Sequence, residues 1–361
     1  MSSISGTGRT EGTGRTEDTG RTEGTGGIVN VGFTCYANAA IQALRHTKGL
    51  EPLMKEDNYT KFLKNNNKYV DLTKQFANII QTLSTITTKS SLRPNGFWLE
   101  FRKVAHDTCF EHLIELAPHD SGEFLMFLLD AIHEALSREV NMNITYNELK
   151  SEKQKFHFKS LEAWKKSFEK QYSPLVKMYF GQFHVQIICD KCKNISNRWE
   201  PFNTLKGVIE KNNTKCSIID CILGELNEEV IEEYSCDNCS PVRTRAVRKT
   251  KVWKLPETLI IVLKRFTYDG NKIHTPIEEF NTDTLNLTKL FYENSPNNNN
   301  SNYSLRSIID HHGSSMGGHY TAQAKHRDTN TWYLYDDQDV RSIEKPYLGN
   351  SSYIFFFELS R

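Results

Sequence analysis

Two Cys-x-x-Cys pairs constrain the fold of this chain more than any other feature of its sequence. Cys189 and Cys192 form the first pair, and Cys236 and Cys239 form the second pair after 43 intervening residues. Each pair is typical of a tight knuckle, and two knuckles provide a closed tetrahedral thiolate site for structural zinc. A single pair could be a redox motif, but two in tandem favour one zinc ion bound by all four cysteines. Segments far apart in the sequence are therefore expected to meet.

The composition argues against several classes of protein. The formal net charge is +1 over 361 residues, which gives no support for charge-driven binding to nucleic acid or to a membrane. No apolar run approaches the roughly 20 residues that span a bilayer, and we expect no signal peptide because the N-terminal residues lack an apolar core. Eight cysteines in a chain of this length indicate an intracellular, reducing setting rather than a disulfide framework. Cys109, Cys216 and Cys221 follow no pairing pattern and are expected to be free thiols.

The N-terminal segment differs from the rest of the chain. Residues 6–26 repeat a six-residue unit, Gly-Thr-Gly-Arg-Thr-Glu, about three times with slight decay. The repeat has no large apolar side chain, so it cannot offset the entropy of ordering. Residues 1–26 are therefore predicted to be a disordered tail, and the globular part is predicted to begin at residue 27.

Within 27–361 the first half shows mainly helical patterns and the second half mainly strand patterns, which predicts an α+β fold. The clearest helix is predicted over 120–136, with a buried side and with Asp120 and Glu123 as a capping box. A weaker helix is predicted over 158–171. Strands are predicted over 181–188, 259–266, 319–324, 332–335 and 353–358, and residues 297–300 are predicted to lie in an exposed polar insertion. The buried side of the first helix consists of Phe124, Leu125, Leu128, Leu129, Ile132 and Leu136.

One cysteine, Cys35, is predicted to lie where a glycine-bearing loop becomes a helix. Thr34 is a candidate N-cap, and apolar residues from Ala37 to Leu44 recur at the spacing of a buried helix face. Unpaired backbone N–H groups and the helix dipole favour an anion in the first helical turn, and the thiolate is the reactive form of cysteine. Taken alone, a cysteine among apolar residues is more often an inert core residue.

A cysteine nucleophile needs a base and a group that orients the base. His319 follows two glycines and opens an alternating run, and Asp336 ends the next run, so a hairpin would bring the two residues opposite one another. The alternative is a surface histidine and a turn aspartate. Asn30 lies five residues before Cys35, where its amide could donate to a developing oxyanion or simply stabilise the turn.

Together these motifs resemble the catalytic domain of the ubiquitin-specific proteases, which are papain-like cysteine peptidases. Residues 27–44 are similar to the family's Cys box, and 317–320 with 332–340 are similar to its His box. Residues 119–130 resemble its Gln-Gln-Asp helix, although Pro118 replaces the first glutamine and Phe33 stands where the family usually has Asn or a small residue. The segments 255–266 and 352–357 resemble two of its strands. The order and spacing agree from about residue 27 to the end.

The resemblance implies a hand-like fold with a helical thumb up to about residue 165, zinc-bearing fingers inserted near 183–252 and a β-rich palm. It implies that Cys35 is the nucleophile, His319 the general base and Asp336 its orienting group, with Asn30 in the oxyanion hole. No catalytic cofactor is implied, and the zinc is structural. The partners implied are ubiquitin and ubiquitinated proteins. The substrate-binding residues implied are Asp120 and Glu123, for arginines of the ubiquitin tail, and Phe266, Tyr268 and Tyr320, for the channel around that tail.

The function implied is thiol-dependent hydrolysis of the bond after the terminal glycine of ubiquitin. Two alternatives stay open: a non-catalytic ubiquitin-binding scaffold with the same fold, and a protease for another ubiquitin-like modifier. For Asp120 and Glu123, helix capping competes with substrate binding. For Phe266, a core position competes with a place in the channel.

Overall fold

The computed structural model of the chain describes residues 22–145, 149–210, 214–296, 301–314 and 317–360. The predictions of a disordered tail over 1–21 and of an insertion at 297–300 lie outside the described residues.

The helices precede most of the strands, with one helix inserted later. The α-helices are α1 (Cys35–Arg45), α2 (Leu50–Met54), α3 (Val70–Leu83), α4 (Asn95–Ala105), α5 (Ser121–Leu136), α6 (Glu152–Phe168), α7 (Pro174–Tyr179) and α8 (Ile218–Glu225), and short 3₁₀ segments cover Lys55–Phe62, Glu111–Ile114 and Thr288–Leu290.

The strands form a two-stranded pair, a large sheet and a four-stranded sheet. They are β1 (Gly27–Ile28), β2 (Ser91–Leu92), β3 (Gly181–Cys189), β4 (Ile195–Phe202), β5 (Leu205–Val208), β6 (Glu229–Ser235), β7 (Arg243–Lys254), β8 (Thr258–Lys264), β9 (Leu285–Asn286), β10 (Asn302–Ser314), β11 (Gly317–Lys325), β12 (Trp332–Asp336), β13 (Asp339–Ile343) and β14 (Ser352–Leu359). The large sheet, here the palm sheet, has the order β13-β12-β11-β10-β14-β8-β5, with β9 beside β10. The smaller sheet, here the fingers sheet, has the order β4-β3-β7-β6. The α+β prediction is confirmed.

Helix α5 forms where its pattern predicts it. Asp120 is the N-cap, and its carboxylate accepts hydrogen bonds from the backbone N–H groups of Gly122 and Glu123. All six side chains of the predicted buried side are buried. The capping-box prediction is wrong in its second half, because the Glu123 carboxylate lies 2.9 Å from His112 Nε2 instead of reaching back to the cap.

Helix α6 begins six residues before its predicted start and ends three residues before its predicted end. Ser151 caps the helix, and Gln154 completes a capping box with it. These polar residues carry no apolar periodicity, so the pattern of buried side chains alone misses the first turns.

Helix α1 lies in the centre of the molecule, between α5 and the palm sheet, and all of its residues are buried. Even Arg45 is buried; its guanidinium donates to Gln42 Oε1, to the carbonyl of Gly24 and to the Tyr335 hydroxyl. A buried guanidinium needs such partners because leaving a donor unsatisfied costs about 1–3 kcal/mol. The helix that carries Cys35 is therefore held firmly against both layers.

The predicted tail boundary at residue 26 is wrong for residues 22–26. The carbonyl of Gly26 accepts a hydrogen bond from Gln42 Nε2. Thr25 is buried, and its N–H donates to the carbonyl of Ile86. The buried side chains of α1 need backbone acceptors, and this segment supplies them although it has no large apolar residue of its own.

The predicted fingers insertion over about 183–252 is not continuous. Strand β5 pairs in parallel with β8 at the edge of the palm sheet, and α8 packs on β5. Leu205, Ile218, Cys221 and Ile222 are buried there in the core of the palm. The fingers sheet is therefore built from residues before and after this segment, whose apolar side chains are buried in the palm.

Among the described residues, no helix combines the length and the apolar character needed to cross a membrane.

Candidate active site

The thiol of Cys35 lies at the junction of the helical layer and the palm sheet. Cys35 is the first residue of α1, and the backbone N–H groups of Tyr320 on β11 and of Tyr36 favour its anionic form. Tyr320 directly follows His319. Helix α1 and strand β11 thus bring Cys35 within one residue of the predicted base, although 284 positions separate the two residues in the sequence.

His319 and Asp336 form a close pair: His319 Nε2 lies 2.5 Å from Asp336 Oδ1, and both side chains are about half exposed. The strand register is not the predicted one. Ala322 pairs with Tyr335, so continuation of the register would place Asp336 opposite Thr321 rather than His319. The two side chains still meet because residues two apart share a face of the sheet and diagonal neighbours are within reach of long side chains.

The loop before Cys35 is organised by Asn30. Asn30 Oδ1 accepts the N–H groups of Gly32 and Thr34, and Thr34 Oγ1 accepts the N–H of Val31. Thr34 occupies the N-cap position of α1, but its side chain makes no capping bond. The predicted capping role of its hydroxyl is wrong because that hydroxyl belongs to the loop network.

Asp337 is a site residue that the sequence patterns did not single out. Its carboxylate accepts Asn30 Nδ2 at 2.9 Å and Asn38 Nδ2 at 2.8 Å, and its carbonyl accepts the N–H of Ile28 at 2.8 Å. Its φ is +52°, which turns the chain sharply after Asp336. Asp337 therefore joins the palm hairpin to the loop and to the helix on either side of Cys35. Two adjacent aspartates after a strand were the only signal available in the sequence.

The surroundings of Cys35 as a whole disfavour the thiolate, although the helix start alone would favour it. Burial raises the pKa of the Cys35 thiol above its ordinary value, the Asp337 carboxylate adds to the increase, and N–H groups including that of Tyr320 oppose it. Burial dominates because it removes the water that solvates the anion, whereas the N–H groups of a helix start supply only partial charges. The neutral thiol is thus favoured, and a base is needed.

A cleft of about 560 Å³ extends from Cys35 across the palm sheet. Its lining includes Tyr320 on β11, Tyr353 on β14 and Lys206 on β5, so it runs from the middle of the sheet to the β5 edge. Asp120 and Glu123 at the start of α5 line it from the opposite side.

Four of the five predicted substrate-binding residues, Asp120, Glu123, Phe266 and Tyr320, line this cleft. Phe266 also packs edge-to-face on Tyr353 and on His311, so it serves the core and the cleft together. Tyr268 is not one of the lining residues, and it projects fully exposed from the turn after β8. Its exposure arises because the short turn that contains Gly270 carries it away from the sheet.

Asp120 is half-buried beside the cleft. Besides capping α5, its carboxylate accepts the Tyr353 hydroxyl at 2.7 Å. Burial raises the pKa of Asp120, and the hydroxyl and the two N–H donors partly offset the increase. The capping interpretation is therefore supported for Asp120, whereas Glu123 presents an exposed carboxylate paired with His112.

The four paired cysteines meet at the tip of the fingers sheet. The Sγ atoms of all four lie within 4.8 Å of one another, with Cys189 and Cys239 at 3.9 Å and Cys192 and Cys236 at 3.5 Å. Sulfur atoms on a tetrahedron around zinc, at about 2.3 Å from the metal, are separated by roughly 3.8 Å. The four thiolates, with no open position, therefore fit a structural zinc ion.

Replacing Asp337 with alanine is expected to lower kcat/KM for the reaction at Cys35 by about 10²-fold, because a small displacement of aligned groups has effects of that size. The same change is expected to speed alkylation of Cys35 by iodoacetamide at neutral pH, since it removes the negative charge that raises the pKa of the thiol. Site-resolved mass spectrometry and steady-state kinetics measure the two effects. Asp328→Ala, in the turn of the hairpin, is the control. If kcat/KM and the rate of alkylation both fell, the role assigned to Asp337 would be contradicted, and unfolding of the variant would explain both losses.

Comparison with known proteins gives one family. The family model described as "Ubiquitin carboxyl-terminal hydrolase" matches residues 26–357. Ubiquitin carboxyl-terminal hydrolase 2 of Homo sapiens is 27% identical over 342 residues, covering 92% of this chain and 55% of the human protein. Ubiquitin carboxyl-terminal hydrolase Usp2 of Drosophila melanogaster is 28% identical over 339 residues, covering 92% of this chain and 34% of the fly protein. The chain thus spans about half the length, or less, of these relatives.

Among solved structures, the chain is similar to a SAGA DUB module of Ubp8, Sgf11, Sus1 and Sgf73 bound to monoubiquitin, with a TM-score of 0.70 and 19% identity over 95% of this chain and 71% of that chain. A SAGA DUB module of the same four proteins bound to ubiquitin aldehyde gives a TM-score of 0.66 and 20% identity, over 95% of this chain and 71% of that chain. This likeness in fold confirms the predicted architecture.

Proposed function

The chain belongs to the ubiquitin carboxyl-terminal hydrolase family, and from that membership we propose that it is a deubiquitinating cysteine protease. It hydrolyses the amide or isopeptide bond that follows the C-terminal glycine of ubiquitin. One observation carries the proposal: a histidine–carboxylate pair, His319 and Asp336, lies on the strand and hairpin that also contact the thiol of Cys35 at the end of a long cleft.

The order of proton transfers follows from the contacts of the imidazole. His319 Nε2 is held by Asp336, so Nδ1 is the nitrogen that takes the thiol proton. The Cys35 sulfur attacks the carbonyl carbon of the terminal glycine, and the protonated His319 then gives its proton to the departing amine. Water, deprotonated by the same imidazole, attacks the thioester and releases ubiquitin and the thiol.

The oxyanion of each tetrahedral intermediate needs donors beside the thiol. Asn30 lies in the loop before Cys35, and one N–H of its amide is used by Asp337, which leaves the second as a donor. The backbone N–H groups at the start of α1 face the same sulfur. Asp337 is a positioning residue in this scheme, because it holds the amide of Asn30 without touching the substrate.

The cleft supports recognition of an extended peptide tail. Its length from Cys35 to the β5 edge suits a chain that lies across the palm sheet, and Gly317 and Gly318 line the end nearest Cys35. A Cβ on Gly318 would lie 2.3 Å from the carbonyl of His312 and 2.4 Å from His311 Nε2, so no side chain fits there. Glu123 offers a negative charge to a basic tail, and zinc in the fingers would hold the two cysteine knuckles together.

Covalent capture tests the proposal directly. Ubiquitin carrying a C-terminal propargylamide should form one adduct with the protein, and peptide mapping should locate it at Cys35. Cys109→Ser, which removes an exposed thiol outside the site, should be captured at an unchanged rate, and Cys35→Ala should not be captured. Binding of ubiquitin without capture would overturn the proposal in favour of a scaffold, and faster capture by a different modifier would overturn the choice of ubiquitin.

A further inference from the structure

An apolar side chain is held in an unfavourable conformation next to the nucleophile. Phe33, two residues before Cys35, has φ +56° and is 55% exposed, and it follows Gly32 at φ +102°. A bulky residue rarely adopts the left-handed region without a compensating gain. The hydrogen bonds from Gly32 and Thr34 to Asn30 Oδ1 hold the loop in this geometry. The exposure of the Phe33 ring is therefore a consequence of a hydrogen-bonded loop.

A second exposed apolar side chain lies beside the same loop. Leu116 is 71% exposed, and its Cδ2 lies 3.9 Å from the position that a Cβ on Gly32 would take. Phe33 and Leu116, here called the apolar rim, thus flank Gly32 from two separate segments. Contiguous exposed apolar surface is typical of sites that contact a partner.

The strand order shows on which side of Cys35 the apolar rim lies. Residues of β11, β10, β14, β8 and β5 line the cleft. Among the described residues, those of β12 and β13 do not line it. The loop that carries Phe33 is tied through Asn30 to Asp337, which lies between β12 and β13. The loop of Phe33 is therefore beyond Cys35, on the side away from the cleft, and Leu116 lies two residues before Pro118, which lines the cleft.

On the proposed function, the cleft takes the tail whose carbonyl is attacked, so the amine side of the scissile bond leaves toward the apolar rim. We propose that Phe33 and Leu116 form a binding site for the acceptor side of that bond: the four methylenes of the modified lysine and an apolar residue next to it. The rim adds no charged or catalytic group. It makes the rate depend on what ubiquitin is attached to, and it gives a physical reason for keeping an aromatic residue in a left-handed conformation.

The test compares two reactions of the same protein. Capture by ubiquitin propargylamide involves no acceptor, whereas hydrolysis of ubiquitin linked through an isopeptide bond to a lysine peptide does. Phe33→Asn removes the ring and places a residue that tolerates positive φ. It is expected to lower kcat/KM for a peptide with leucine next to the lysine by about 10-fold, the size of effect that one apolar group gives in a pocket, and to leave the capture rate within about twofold.

Leu116→Ser is expected to act in the same direction, and Leu99→Ser is the control, because Leu99 is an exposed leucine on α4, 56% exposed against 71% for Leu116, and is outside the cleft lining. Replacing the peptide's leucine with serine should abolish the difference between Phe33→Asn and the parent protein. Equal losses in capture and hydrolysis, or no loss in either, would overturn the inference. Absence of capture by the parent protein would instead overturn the proposed function, and this inference with it.

Discussion

His319→Ala is expected to lower kcat/KM for ubiquitin hydrolysis by at least about 10³-fold, the range found when a catalytic base is removed. The reason is the state of the thiol. Burial raises the pKa of Cys35, so its surroundings disfavour the reactive thiolate, and a base beside the thiol is expected to be needed to generate it. The measurement is hydrolysis of a fluorogenic C-terminal amide of ubiquitin, with circular dichroism to confirm folding.

The pH dependence gives an independent check on His319→Ala. Without the base, alkylation of Cys35 depends on spontaneous ionisation, so its rate should keep rising with pH beyond the range in which an ordinary cysteine has already ionised. His312→Ala is the matched control, because His312 is the neighbouring histidine on β10 and contacts Thr321 instead of Asp336. A loss of less than about tenfold in the His319 variant, or an equal loss in the control, would require a different base.

Cys236→Ser is expected to remove bound zinc and to unfold the distal part of the fingers sheet, around the two cysteine knuckles, while leaving the palm folded. Structural zinc binds with apparent free energies of about 10–16 kcal/mol in small peptides, and that energy is folding energy where no other core exists. The distal part of the fingers sheet is such a case, since its acidic and basic side chains form ion pairs on its faces, whereas the part next to the palm also buries Trp199 and Trp253. Such exposed pairs contribute only about 0–1 kcal/mol each.

Metal analysis, thermal unfolding and hydrogen exchange measure this effect. Exchange should speed up in β3, β4, β6 and β7, whereas β10 and β14, whose register partners lie in the palm sheet, should keep their protection. Cys109→Ser, an exposed cysteine outside the cluster, should retain zinc and the parent's melting temperature. Full protection of the fingers strands in the metal-free variant would show that packing alone holds them.

Much of the fold could be predicted from local patterns. Helix α5 repeats apolar residues at helical spacing over its whole length, and the β14 segment is continuously apolar because both of its faces are buried. Helix α6 was misplaced because its first turns are polar and capped. The position of β5 and α8 in the palm cannot be predicted from local patterns, because a four-residue strand carries no signal of which sheet it will join.

The candidate site likewise contains some residues that local sequence patterns predict and others that only the tertiary structure identifies. Cys35 and His319 were predicted from their own neighbours in the sequence, a helix start and a pair of glycines. The role of Asp337 could not be predicted, because its partners Asn30 and Asn38 are about 300 positions away. The helix start beside Cys35 is visible in the sequence, whereas the burial that opposes ionisation of its thiol is not.

The order of motifs along the chain was enough to establish the α+β class and the four clustered cysteines, and to predict Cys35 and His319 as the reactive pair, because each depends on spacing between near neighbours. Folding in three dimensions decided the rest: which carboxylate holds the helix of Cys35, where the fingers begin and end, and on which side of the thiol an exposed phenylalanine stands. These depend on contacts between distant segments and on the exclusion of water, and neither is encoded in any local pattern.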